Sequence, residues 1–579
     1  MQNTRYMKRL FFLLMLAPLA AQAQDQPSYN ESVLVKGSYK PVIEEKEKLN
    51  FPATLSDTTQ QLDHTFQYSI SPRRLHSVYE PARIKAARII GEPTTRLYNN
   101  YIRLGVGLYP STLADVYWHS TRDRHKTYGL RLNHRYSWGS IGDYHHVYFG
   151  NTSATLFGKY IFKDVLQIAS DISYEHDHNY YYGFTDQTLT TVFPTTSRDD
   201  ISMSDYRAKY NKMVWNIGLR NMQLDTRALG YSLGVRLGDL WASYGQNQFN
   251  LNVSGDLHYG FNLKDEYKGI IYMHSEWDAY SYRFEPDGEL PFGNDPTQPI
   301  SDRHHKQNIL KINPYADFLM SGLQFHAGVT AGWDGFSMGS SAKFRFFPDV
   351  VLSKKLLDDA MVLSFGFTGD ITPNSLDIIR QENPYVAPGA EQRAESHRDI
   401  LAHMRWKFSK KLELNAEMSY AMRRDHLSFA IDTLHYQLDN VYHPTYIDLN
   451  QFTVGADLAF VNDEMLTLRA AAHYYHYSLR DDNEVLLYHP DWDVSLGADV
   501  NYHDRWLFHL HGILQSKMDG DFGARIPVRV GINAEIEYRH NRALSFFAKV
   551  DNLAFQRYTY FVHYPSLRAL CLLGITYTL

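Results

Sequence analysis

From Asn100 onward the chain alternates apolar and polar residues with a period of two. Ile102, Leu104, Val106 and Leu108 share one face, while Arg103, Gly105 and Gly107 occupy the other. Tyr128, Leu130 and Leu132 alternate with Arg131, Asn133 and Arg135 in the same way. So do Leu251, Val253 and Leu257 with Asn252, Ser254 and Asp256, and Leu414, Ala416 and Met418 with Glu413, Asn415 and Glu417. Val454, Ala456 and Leu458 against Gly455 and Asp457 repeat it, as do Val530, Ile532 and Ile536 against Arg529, Glu535, Glu537 and Arg539. Successive side chains of a strand point to opposite faces, so each segment reads as a strand with one apolar and one polar face. Many of these segments exceed the about five or six residues of an ordinary strand. A soluble sandwich or propeller would pack a core where the mid-strand charges stand. A membrane barrel reverses the arrangement, apolar outside and polar inside, and needs about 9–11 residues per crossing.

Connections set the strand count. Short polar turns fall at Lys163-Asp164, 263–266, Ser321-Gly322, 409–411, 462–464, 503–505 and 540–542. Long connections lie near 184–205, 285–306, 372–393 and 431–447. If the chain enters from the periplasm near Asn100, the short turns share the periplasmic side and the long loops the outer side, as in outer-membrane barrels. The expected fold is all-β: a transmembrane antiparallel β-barrel of about 22 strands (range 18–22), preceded by an irregular amino-terminal segment. The final strand carries Leu567, Ala569, Cys571, Leu573, Ile575, Tyr577 and Leu579 on one face, and is expected to pair with the first.

The amino terminus sets the compartment. Arg5, Lys8 and Arg9, the apolar stretch Leu10 to Leu19 and Ala21-Gln22-Ala23 form a secretory signal, cleaved after residue 23. Beyond it no run of about 18 apolar residues occurs, which excludes helical membrane spans. Residues 24–99 carry Pro27, Pro41, Pro52, Pro72, Pro81 and Pro93, and read as a loop-rich periplasmic or plug-like segment before a barrel at 100–579. Composition agrees. Tyr 43, Phe 31 and Trp 9 are what two interfacial aromatic belts require. The single cysteine permits no internal disulfide, and a net charge of -6 gives no reason to expect nucleic-acid binding.

The segment Val33-Leu34-Val35-Lys36-Gly37-Ser38-Tyr39-Lys40-Pro41-Val42-Ile43 resembles the mature start of Bacteroidota outer-membrane barrels of the kind labelled TonB-dependent receptor. Tyr101-Ile102-Arg103-Leu104-Gly105-Val106-Gly107 is similar to their first barrel strand. The resemblance implies an outer-membrane location and uptake of a solute. It also implies membrane lipid and the outer-membrane assembly machinery as partners, with TonB or a surface lipoprotein as further ones. This chain departs from such transporters in its short segment 24–99, where a folded plug usually takes well over about one hundred residues. Two other functions remain open: a structural or assembly subunit that anchors a complex, and an open diffusion porin.

Candidate chemistry is sparse. Glu175-His176-Asp177-His178, followed by Tyr180-Tyr181-Tyr182, has the donor types of a metal site, but reads better as a wet rim above an aromatic girdle. His145-His146 and His304-His305 point to opposite faces as adjacent residues, and make poor chelates. No local frame places a nucleophile and base, so neither catalysis nor a cofactor is expected. The informative set is the charge on the inner face: Arg103, Arg131, Arg135, Asp256, Glu413, Glu417, Asp457, Arg469, Arg529, Glu535, Glu537 and Arg539. A single sign would suggest an ion-selective pore. The mixture suits a lumen filled by hydrogen-bonded protein or lined for polar solutes.

Overall fold

In the computed structural model, the described residues are 98–579 apart from 121–122, 143, 186–187, 189–190, 193–201, 223–227, 264–266, 287–289, 293–300, 321, 337–342 and 463–464. The signal peptide and nearly all of the segment 24–99 therefore lie outside the described residues.

Twenty-two strands form one antiparallel sheet, from Asn100–Gly107 to Leu570–Thr578. Each pairs with the next in the chain. The first and last also pair, from Tyr101↔Thr578 to Gly107↔Leu572, which closes the sheet and removes its edges. The alternation predicted from sequence is the alternation of exposure: Leu104, Val106, Leu573 and Ile575 stand out, while Arg103 is largely covered. Contacts between distant strands identify the inner face. Arg103 reaches Glu535, three strands away, and Arg135 reaches Asp551, four away. Side chains can take such a shortcut only on the concave side of a closed sheet. Strands about 4.8 Å apart and tilted about 40° give a barrel of this size a diameter of about 40 Å, too wide for wall side chains to fill.

Reversals at the end where the first strand begins and the last strand finishes are tight. Lys163 and Asp164, and likewise His503 and Asp504, have positive φ at both central positions, the geometry that matches strand twist in a two-residue hairpin. The opposite, outer end carries the long connections 181–206, 285–302, 374–393 and 432–441, close to the expected ranges. It also carries 480–491, 516–528 and 552–569, which the sequence pattern did not separate from strands. Two of these form their own small hairpins, Met518–Asp519 with Arg525–Ile526 and Thr559–Phe561 with Tyr564–Pro565, so their alternation is real but belongs to no barrel strand. For the same reason Leu567 and Ala569 precede the final strand instead of sharing its outer face.

The wall is uneven in height. Strands Tyr267–Phe284, Leu412–Ile431 and Tyr442–Asn462 run to 18, 20 and 21 residues. Around the closing seam, Asn100–Gly107, Ser111–His119, Leu544–Asp551 and Leu570–Thr578 have only 8 or 9.

Candidate functional site

The outer mouth is where the fold departs from a plain barrel. Connection 374–393 contains a short helix, Leu376–Glu382. Its local logic is visible in the residues. Ser375 takes the extended conformation at the start, Asp377 lies in the first turn and Arg380 in the last, matching the helix dipole. Asn383 and Pro384 end it, the Asn383 N–H donating to the Ile379 carbonyl. Leu376 and Ile379 form its buried face. Gln248, on a different wall, accepts the Leu376 N–H at 2.8 Å and so caps a helix end that would otherwise be buried unsatisfied.

The helix is fastened across the lumen by charge. Arg380 donates to Asp177 at 2.8 Å and to Asp377 at 2.7 Å, with its guanidinium 5.0 Å over the Tyr210 ring. Lys212 meets Asp377 at 2.5 Å and Glu175 at 3.8 Å. Burial alone would raise the Asp377 carboxyl, but Arg380 and Lys212 outweigh it and hold the group below its ordinary value. Glu175 and Asp177 point inward to this network. His176 and His178 share the opposite face, with His178 buried against Tyr136 and His176 meeting Asn211 at 2.8 Å. The four residues thus split between two faces and cannot converge on one ion. His304 lies 3.5 Å from Glu285 while His305 is buried, and the side chains of His145 and His146 fall outside the described residues. Among the described residues no group of three or more His, Cys, Asp or Glu could hold a metal.

Three connections meet above the helix. They leave the ring after its fifth, thirteenth and twenty-first strands, roughly a third of the circumference apart, so they can touch only over the opening. Tyr385 and Tyr564 stack with ring centres 3.4 Å apart, and Tyr182 stands edge-on to both. Backbone carbonyls accept from these tyrosines and their neighbours: Tyr181 hydroxyl to Val386 at 2.7 Å, Tyr182 to Pro565 at 3.0 Å, Tyr442 to Val562 at 2.8 Å, and Tyr564 to Asn440. Arg303 donates to the Gly389 carbonyl at 2.6 Å. Tyr181, Phe292 and Tyr442 are wholly buried in the resulting apolar clusters. Tyr181 and Tyr182 are therefore parts of a cap, not of the lipid-facing girdle their sequence position suggested.

Beside the cap, His489 is held in one tautomer. Its Nδ1–H donates to the Leu487 carbonyl at 2.7 Å, which leaves Nε2 to accept from His426 Nε2 at 3.2 Å. Glu395 lies 3.0 Å from His426 Nδ1 and also accepts from Arg423 at 2.6 Å. Burial pushes the His489 ring from 6.5 down to about 4. A histidine held neutral contributes stability that is complete above the unfolded value and is lost as the pH falls through the folded one. Docking of connection 480–491 should therefore weaken by about 3 kcal/mol on acidification from pH 7 to below pH 4. Hydrogen exchange of this connection, corrected for intrinsic rate, measures it, and His489→Asn should flatten the profile. Equal pH dependence in both proteins would contradict it.

The charges expected from sequence lie around the wall, not at one point. Arg103 and Glu535 are joined at 2.6 Å, and the Phe547 ring lies 3.9 Å from the Arg103 guanidinium. Six others find partners outside the set. Arg131 donates to Asn133 at 2.8 Å, Arg135 to Asp551 at 2.7 Å and Arg469 to Asp499 at 2.7 Å. Asp256 meets Ser232 and His274, and Asp457 lies 3.8 Å from His473. Arg529 stacks on Tyr558 and Tyr560. Glu413 and Glu417 share one face of Leu412–Ile431, while Glu537 and Arg539 stand opposite Phe547 and Ser545 on the neighbouring strand. Arg380, Asp377, Tyr385 and Tyr564 were not singled out in the sequence. Ser375 and Asn383-Pro384, which bound the helix, are a local signal for Asp377 and Arg380, while Tyr564 lies far from it in the chain.

No protein-family model matches the chain, and no curated protein matches it. Solved structures do. The ferric-catecholate import receptor Fiu of E. coli K12, in its closed form, aligns with a TM-score of 0.61 over 84% of this chain and 82% of that one, at 10% identity. The siderophore receptor PirA of Acinetobacter baumannii aligns at 0.62 over 84% and 81%, with 9% identity. The iron transporter FrpB of Neisseria meningitidis gives 0.62 over 84% and 82%, also at 9% identity. At this identity the likeness is one of fold: a 22-strand antiparallel barrel.

Proposed function

We propose that the protein is a TonB-dependent-receptor-like transporter that takes up a solute across the outer membrane through a gated barrel. In this reading the signal peptide 1–23 is removed and residues 24–99 act as an abbreviated plug in a barrel formed by 100–579. Membrane lipid surrounds the wall, the assembly machinery inserts it, and TonB or a surface lipoprotein acts on it. The Bacteroidota affinity rests on residues 33–43 and 101–107 alone. The inward charges, of both signs, would line the route of a polar solute.

The observation that carries the reading is the cap. The opening of a barrel about 40 Å across is spanned at its outer end by connections from three sides of the ring, joined through Tyr182, Tyr385 and Tyr564. An open diffusion porin has no use for such a closure, whereas gated uptake requires one. Conductance in planar bilayers tests it on three proteins: the mature chain, a form lacking residues 24–99, and that form with Tyr182→Ala, Tyr385→Ala and Tyr564→Ala. The first two should be silent and the third should conduct in steps. Current through the mature chain would establish a porin. Silence in the third would favour the anchoring subunit.

A further inference from the structure

A second feature lies on the outside of the wall. On strand Leu412–Ile431 the outward residues run Leu414, Ala416, Met418, Tyr420, Met422 and then Arg424. On Ala394–Lys407, read in the same direction, they run Trp406, Met404, Ala402, Ile400 and then Arg398. On Leu466–Leu479 the outward face ends in the exposed Arg480. Arg424 and Arg398 are thus the first charges above apolar runs of roughly the length that crosses a bilayer, and Arg480 follows His476 and Ser478 at the top of its own outward face. That level is the headgroup region of the outer leaflet.

The three arginines line one hollow of about 390 Å³, together with the outward-facing Phe344 and Phe346. Phe344 and Phe346 are 74% and 63% exposed, so the hollow has an apolar rim as well as a basic wall. Among the described residues no carboxylate lies within ion-pair distance of Arg398, Arg424 or Arg480. The carboxylates nearby are engaged: Asp448 accepts the Asp425 N–H at 3.0 Å, and Asp425 itself faces Arg345 and Arg393. Among the described residues Arg398 donates one bond, at 3.3 Å, to the Phe346 carbonyl, and its guanidinium lies 5.6 Å over the Phe347 ring. His397, also in the lining, is turned to Asp399 at 3.6 Å.

Guanidinium groups bind phosphate through paired N–H donors, and basic residues at a membrane surface attract anionic headgroups. We propose that this hollow binds the phosphorylated headgroup of an outer-leaflet glycolipid, whose acyl chains run down the apolar face below. The inference needs only the membrane-embedded barrel and does not depend on the transport reading.

The test is binding of fluorescent bisphosphorylated lipid A to the detergent-purified full-length protein. Arg398→Gln, Arg424→Gln and Arg480→Gln together should weaken it on the order of 100-fold. Arg424→Gln alone, an exposed change that cannot disturb packing, should weaken it several-fold, and Lys354→Gln, at the other end of the wall, should leave it unchanged. Dephosphorylated lipid A should bind both the wild type and the triple variant weakly. Equal affinity of the triple variant and the wild type for lipid A would overturn the proposal. So would displacement of lipid A by an equal concentration of inorganic phosphate, which would mark a free-anion site.

Discussion

The Gly574→Val variant is expected to fail at barrel closure. Gly574 sits opposite Gly105 in the pairing of the last strand with the first. A Cβ at position 574 would lie 2.1 Å from the Leu104 carbonyl oxygen and 2.4 Å from the Phe547 ring. The ring could move, but the carbonyl belongs to the ladder itself. The native solution fills the space over the two glycines with Phe547, with the Arg103 guanidinium 3.9 Å from the ring centre. Overpacking a core costs about 1–3 kcal/mol, and a clash with seam backbone should exceed that range. The unheated protein should lose its compact gel mobility and become sensitive to protease throughout. Gly158→Ala, which meets open space, should be silent. Adding Phe547→Ala to Gly574→Val should not rescue closure, because the carbonyl clash remains. A compact, protease-resistant Gly574→Val protein would show that the seam can shift its register.

The second large effect is expected at Arg380. Its side chain is 7% exposed and serves Asp177 and Asp377 together. Arg380→Ala leaves Asp177 without its cation and Asp377 with Lys212 alone, and breaking a buried pair from one side costs about 3–5 kcal/mol. The barrel has its own ladder, so the loss should fall on the docking of 374–393. Protease added to intact cells should then cut within this connection, while the wall stays whole. Arg380→Lys keeps the charge but loses the forked geometry, and should be intermediate. Asp177→Asn combined with Arg380→Met removes both members and should recover part of the loss. Unchanged protection in Arg380→Ala would mean that the tyrosines alone hold the cap.

These two sites differ in how far the sequence announces them. The wall is written locally: alternation at Leu104 and Val106, or at Met418 and Tyr420, states which way each side chain points. Turns such as Lys163-Asp164 and His503 to Arg505 state where the chain reverses, and together they yield the strand count. The cap is not written locally. Tyr181 bonds to Val386 across 205 residues and Tyr182 to Pro565 across 383. No periodicity links such positions, and an aromatic run at a strand end looks the same whether it faces lipid or a buried cluster. The helix at 376–382 falls in a stretch that the sequence pattern gives only as a long connection, and nothing near it names Asp177 as its anchor. The inward charges lie between these cases. Alternation shows that Arg103 and Arg135 face inward, but their partners sit three and four strands away, a relation set only by closure of the ring.

The uneven wall distributes stiffness unevenly. Above the membrane one half of the ring continues as paired strands, in Leu412–Ile431 and Tyr442–Asn462 above all. The half around the seam rises only as connections, 516–528 and 552–569, whose backbone has little ladder to hold it. Irregular backbone with few paired neighbours opens at lower free energy than a ladder does. The cap is therefore clamped along one arc and sprung along the other. Its softest displacement is expected to be a swing about the tall arc, which would break the bonds of Tyr564 to Asn440 and Tyr442 to Val562 while the helix at Arg380 stays seated.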